Sequence, residues 1–362
     1  MVDGSIAAGM PDESMQTDEI SAAIAWQAFH TDRLGAPCTA RIVRSLNAVA
    51  KTDTATGRRI AGWKGLTVKE AMPLRIAGGL HHQVLSGADN RLAQVYSGAL
   101  TDQDQIDELV VGLVRDFDAQ LLVWLEGPPQ TNEAGRSASI MAGLLWLSGK
   151  LGPQFELFEL GASAGVLTML DRYRFDLGGV RVGPAASAMQ VKPEWRGPPP
   201  PDNQVEIVSV KGCDVSPINL VDPDAALRLK SYVWPEVADR MERIDAAISL
   251  AAEKAPDVVQ QDAGEFVQEM LVGDQSPGVT KVMFHSIMWQ YMPAATQDAI
   301  TAAMEVAGQA ASAQKPLAWV SLETNPVSFR HELKLRYWPG GAEQQCLGHA
   351  HPHGAWVEWS AE

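Results

Sequence analysis

Residues 155–165 read FELFELGASAG, and the fold turns on how they are read. FELFEL is a short apolar run, with Phe155, Leu157, Phe158 and Leu160, and glycine bounds it, which predicts a buried strand. The run closes on acidic Glu159 and enters the small residues Gly161 to Gly165, ahead of AGVLTMLDRY, predicted as a helix. A strand, a small-residue loop and a helix are what an α/β sheet uses to hold a nucleotide-bearing cofactor, because glycines and exposed N–H groups let a ligand come close. The same letters contain Gly161-Ala162-Ser163-Ala164-Gly165, which also fits the G-x-S-x-G turn that presents a nucleophilic serine in α/β-hydrolases.

Downstream, strands and helices alternate. VEIVSV (205–210) is a strand running into GCDVSP, VVQQ (258–261) a short strand before Asp262, and KVMFHSIMW (281–289) and PLAWVSLE (316–323) are two more. Between them lie the helix opening at Pro235, with Val237, Met241, Ile244, Ile248 and Ala251 on one stripe, then EFVQEMLV and AATQDAITAAMEVAG. HELKLRYW (331–338) and GAWVEW (354–359) alternate apolar and polar residues, as a half-exposed antiparallel pair does. The pattern predicts an α/β fold: a Rossmann-like, doubly wound, mostly parallel sheet with an antiparallel C-terminal edge pair. Residues 173–204 interrupt it with the hairpin YRFDLGGVRVG, then MQVKPEW and a proline run, and read as an insertion over one end of the sheet.

Upstream the periodicity is helical. ISAAIAWQAFHTDRL, RIVRSLNAVAK and QIDELVVGLVRDFDAQLL place 19–118 as a helical cap domain, while 1–18, polar and punctuated by Pro, Gly and Asp, reads as a disordered tail. The Rossmann-like domain then spans 119–362. Its first helix, NEAGRSASIMAGLLWLSGKLG, has Thr131 or Asn132 as cap and Gly152 just past its end. A formal charge of −15 argues against a nucleic-acid partner and disfavours an anionic membrane surface. Three scattered cysteines, no signal-peptide pattern and no apolar run long enough to span a bilayer point to the cytoplasm. Oligomeric state is not legible.

Ligands of a doubly wound sheet sit at the carboxyl ends of its strands. The residues falling there are Glu159 with Gly161, Ala162, Ser163 and Gly165, then Asp214, then Asp262 with Ala263, then His285 to Tyr291. Carboxylates at such ends accept ribose hydroxyls or an adenine amino group, and the lack of a full G-x-G-x-x-G favours a nucleoside cofactor over a dinucleotide. QTNEAGR adds Gln130, Asn132, Glu133 and Arg136: Arg136 to clamp a carboxylate and Glu133 to take an amino group, against plain helix capping and an i, i+3 surface pair. Ser286, Trp289 and Gln290 complete the substrate side, with His285 as candidate base beside Tyr291; a buried, hydrogen-bonded histidine is the plain alternative. Cys346, His349, His351 and His353 raise zinc, but a second ligand pair is missing and alternating strand residues face opposite ways, so no metal is expected.

ELGASAG, GCDVSP and QQDAGEF resemble the first three cofactor motifs of class I S-adenosylmethionine-dependent methyltransferases. The resemblance implies S-adenosylmethionine as cofactor and S-adenosylhomocysteine as product. It places Gly161–Gly165 around the methionine part, Asp214 on the ribose, Asp262 near the adenine and the His285 segment facing the transferred methyl group. Ser163 stands where those enzymes carry glycine, and the insertion delays Asp214 beyond the usual spacing. More closely, PPQTNEAGR (128–136), ELGASAG, DRY (171–173), FHSIMWQY (284–291), WPGG (338–341) and PHGAWVEW (352–359) resemble a bacterial family, domain of unknown function 2332, regarded as methyltransferase-like in fold.

The expectation is therefore a methyltransferase for a small molecule, with an acidic group the best match to Arg136 and the helical cap closing over it. Two alternatives stand beside it. One is a non-catalytic ligand-binding protein of the same fold. The other is a serine hydrolase using Ser163, Asp262 and His353, although no HGGG-like oxyanion loop precedes the serine and GGLHHQ (78–83) comes nearest.

Overall fold

The FELFEL run forms β1 (Gln154–Leu160), the strand at which the order of the main sheet reverses. The computed structural model describes residues 20–64, 70–130, 132–341 and 343–361; the segment read as a disordered tail lies outside them. The chain divides into two compact units, Met1–Thr131 with Leu227–Met241, and Asn132–Ala226 with Glu242–Glu362.

Among its described residues the first unit contains no strand. Helices such as Ile20–Arg33, Pro37–Val49, Met72–Leu85 and Gln103–Asp116 enclose Ile24, Ile42, Leu46, Ile76, Leu80 and Val110. The sequence places one boundary at 118/119, but helical structure continues to Leu125 and the unit takes in Leu227–Met241. Two contacts explain that recruitment. The Glu236 carboxylate accepts from Thr39 N and Thr39 Oγ1, both at 2.7 Å, and the Tyr232 ring lies 2.7 Å from the position a Cβ on Gly78 would take.

The second unit carries twelve strands among its described residues. After β1 come β2 (Arg174–Leu177), β3 (Val180–Val182), β4 (Gln190–Val191), β5 (Glu194–Arg196), β6 (Glu206–Asp214) and β7 (Val258–Gln260). Then follow β8 (Thr280–Ser286), β9 (Leu317–Thr324), β10 (His331–Trp338), β11 (Gln345–Ala350) and β12 (Trp356–Trp359). The main sheet runs β5-β12-β11-β10-β9-β8-β1-β6-β7, parallel from β7 to β9 and antiparallel from β9 to β12. Every residue of β8 is buried, as in a strand covered on both faces. Helix Ser137–Leu151 covers one face, where Gly143 approaches Val320 and Leu335. Helices Ala263–Val272 and Ala294–Ala310 cover the other, packing Phe266, Met270, Ile300 and Met304 on Leu160, Met283, Trp319 and Trp338. This is a mixed α/β unit with a large, mostly parallel sheet. Among the described residues no helix is long and apolar enough to cross a membrane.

Three expectations need correction. HELKLRYW and GAWVEW do not pair with each other, because β11 stands between them. Its QCLGHA lacks a strand-like run, and Gly348 is needed there: a Cβ would lie 2.2 Å from Glu358 O. The insertion keeps its hairpin, β2–β3, joined by β4, but β5 leaves it to extend the main sheet beside β12. AGVLTMLDRY forms tight 3-10 turns over Leu167–Arg172 in place of an α-helix. Side chains take the groups a helix would use: Thr168 Oγ1 donates to Gly165 O at 2.7 Å, and the Tyr173 hydroxyl donates to Val166 O.

Candidate functional site

At the carboxyl end of β1 the backbone turns through left-handed conformations at Gly161 (φ 66°), Ser163 (φ 51°) and Gly165 (φ 72°). Glycine takes these freely, whereas serine is strained there by about 1 kcal/mol. Asp214 holds the serine in place: its Oδ2 accepts from Ser163 N and its Oδ1 from Ser216 N, each at 2.8 Å. Ala162 N donates to Cys213 O at 2.9 Å and Ile218 N to Ser163 O at 3.1 Å, so the β1 and β6 loops are one construction. A Cβ on Gly165 would lie 2.5 Å from Pro256 Cβ and 2.7 Å from Val258 Cγ2, so packing alone requires that glycine. Gly161 faces Met288 instead.

Beneath this loop Glu159 is 2% exposed, and its Oε2 has no hydrogen-bond partner. Desolvation is the main reason its pKa rises from 4.5 to about 8; nearby Arg136 opposes the rise and Asp214 adds to it. That rise favours the protonated form of the group at neutral pH. Ser163 Oγ is likewise buried without a partner. Two unsatisfied polar atoms within five residues are uncommon in a buried turn, and a ligand group is one way of satisfying them.

His285 sits at the end of β8, 2% exposed. Its Nε2 accepts from Trp319 Nε1 at 2.9 Å, so its Nδ1 carries the proton and donates to Glu323 Oε1 at 2.7 Å. The ring also stacks on Trp289, with centroids 4.7 Å apart. Both nitrogens are engaged, as in a buried, hydrogen-bonded histidine. Tyr291, beside it in sequence, is 73% exposed, and Gln290 is exposed too. Asp262 caps helix Ala263–Val272, its Oδ1 accepting from Gly264 N at 2.8 Å and Glu265 N at 3.3 Å, while Ala263 is buried in the core. The hydrolase triad is not assembled, since no histidine reaches Ser163 Oγ.

The NEAGR segment is the keystone of the C-terminal loops. Asn132 Oδ1 accepts from Val166 N at 2.7 Å, while Glu133 caps the following turn through Gly135 N. Glu133 binds Arg243 Nε at 3.0 Å, and Arg243 Nη2 reaches His353 O at 3.3 Å. Buried Arg136 donates Nε to Pro352 O at 2.7 Å and Nη1 to Ser286 O at 3.4 Å. Gly135 and Gly354 touch backbone to backbone, a Cβ on Gly354 falling 2.4 Å from Gly135 Cα. Gln130 belongs to the other unit. Sequence reasoning missed Glu323, Trp319 and Arg243. Glu323 was within reach, being an acidic residue at a strand end like Glu159; nothing marks Arg243 among the charges of its helix.

Among the described residues no group of three metal-ligating side chains forms. His353 N donates to His351 Nδ1 at 3.1 Å, and Cys346 Sγ to Gly348 O.

No curated protein and no solved structure matches the chain. One family model does, over residues 21–359: an uncharacterized protein conserved in bacteria, domain of unknown function 2332. The segments that interlock here, NEAGR with FHS and PHG, fall within that match, and the chain belongs to this bacterial family.

Proposed function

We propose that the β1 loop holds a nucleoside-type cofactor of the S-adenosylmethionine class and that the protein transfers a methyl group to a small molecule. The observation that carries this reading is Glu159 Oε2, a buried polar atom without a partner at the strand where the sheet order reverses. The order β7-β6-β1-β8-β9 matches the 3-2-1-4-5 core of a Rossmann-like sheet, which supports the finer fold assignment. The residues present fit such a group: Glu159 and Ser163 have unsatisfied buried atoms to offer. Bound, the cofactor would supply an electrophilic methyl group. The chain's own contribution is shape: Asp214 fixes Ser163 and so the loop, while Arg136 and Glu323 fix the neighbouring strand ends. Positioning of that kind does most of the work in an in-line displacement.

Isothermal titration with S-adenosylhomocysteine tests the reading. Binding that Glu159→Gln weakens supports it; no heat at millimolar ligand, for either protein, rejects it. A second reading, ligand binding without turnover, is favoured by the engagement of both His285 nitrogens. Methyl transfer from labelled cofactor to any acceptor eliminates it.

A further inference from the structure

We infer that Met288 is a displaceable plug: its side chain stands on the open face of Gly161, and a ligand of the β1 loop binds only when it swings away. The inference rests on the cofactor reading above. Met288 Cε lies 2.9 Å, and its Cβ and Cγ 3.0 Å, from the position a Cβ on Gly161 would take. The space this glycine opens is therefore taken by a side chain of the protein itself. Gly165 is packed as tightly, but by Pro256 and Val258, a ring and a β-branched chain with little freedom to leave. Met288 is different: unbranched, half-buried, with three torsions to rotate.

The backbone beneath it is not free to move. Ile287 N donates to Leu322 O at 2.9 Å, and Met288 N and Trp289 N both donate to Glu323 Oε1, at 3.2 and 3.3 Å. Gln297 Nε2 holds Trp289 O at 2.8 Å and Met292 O at 3.0 Å. Ile287 keeps a left-handed φ of 51°, which a β-branched residue adopts only where its surroundings impose it. Opening is thus a side-chain event on a fixed loop, and closure competes directly with ligand for one glycine face.

Two measurements on the full chain test this. First, Gly161→Ala is made in the wild-type protein and in Met288→Ala, and thermal unfolding is followed. The Cε and Cγ overlaps disappear with the methionine, leaving the Cβ contact at 3.0 Å and the cost of the left-handed alanine, so the loss in Tm should shrink. Equal losses in the two backgrounds mean that Met288 does not occupy this face in solution, and they overturn the inference. Second, S-adenosylhomocysteine is titrated into wild type and Met288→Ala. Binding about tenfold tighter in the variant supports the plug. Equal affinity overturns the plug and leaves the cofactor reading intact. Absence of binding to both proteins at millimolar ligand overturns the cofactor reading, and the plug with it.

Discussion

Replacing Glu159 by glutamine should make the protein more stable, by an amount that grows with pH. The folded chain keeps the Glu159 proton up to about 8, whereas the unfolded chain releases it near 4.5. Between those values the unfolded state binds fewer protons than the folded one, so this group lowers stability progressively as pH rises. Each pH unit inside the window is worth ~1.4 kcal/mol, which makes the penalty about 3 kcal/mol at pH 7. A neutral amide has no such dependence. The quantity to measure is the difference in Tm between Glu159→Gln and wild type at several pH values from 5 to 8. At roughly 2 °C per kcal/mol for a chain this large, it should increase by about 6 °C over most of that span. The amide itself can add or lose a hydrogen bond, but that offset is constant with pH. A flat difference across the window would refute the argument, because it would mean that Arg136 keeps Glu159 ionised in the folded protein. A ligand that brings a cation to Oε2 should release the proton, seen as binding heats that change with the ionisation enthalpy of the buffer.

Trp319→Phe removes the donor to His285 Nε2 and should cost ~1–3 kcal/mol. It should also make His285 carbethoxylate in a mass-spectrometric assay in which the wild-type residue stays unmodified; an inert His285 in the variant contradicts the assigned hydrogen bond. Gly354→Ala forces a Cβ into the Gly135 backbone from a left-handed position (φ 73°), and urea unfolding should show a loss of ~2–4 kcal/mol. A loss under ~0.5 kcal/mol would show that the two glycine segments do not touch.

The central parallel strands β8 and β9 were legible because burial on both faces turns them into continuous apolar runs, as in KVMF and LAWV. The same physics hid β11, whose Cys346, Gly348 and His349 carry little strand propensity and which exists because β10 and β12 leave room for it. Glu159 and Asp214 could be found at strand ends, but not what they do there. Asp214 was read as a ribose ligand, and its carboxylate also holds Ser163 N and Ser216 N; Glu159 was read as a carboxylate, and burial pushes its pKa up to about 8. Spacing reveals which residues reach one edge of a sheet, whereas desolvation and backbone N–H groups decide their chemistry. Arg136 shows the same limit: its sequence neighbour Glu133 suggested a local pair, and the fold gave each of them a partner more than a hundred residues away.

The pairing of β5 with β12 has a consequence for how the chain acquires its fold. Glu194 meets Trp356 across that pair, so closing this edge of the sheet joins points far apart in sequence and should be a late, slow event. On a ribosome adding ~5–20 residues per second, β5 would wait on the order of 10–30 s for a partner not yet synthesised. During that interval its unpaired edge is open to other strands, which makes Glu194–Arg196 a place for a chaperone to act and for misassembly to begin.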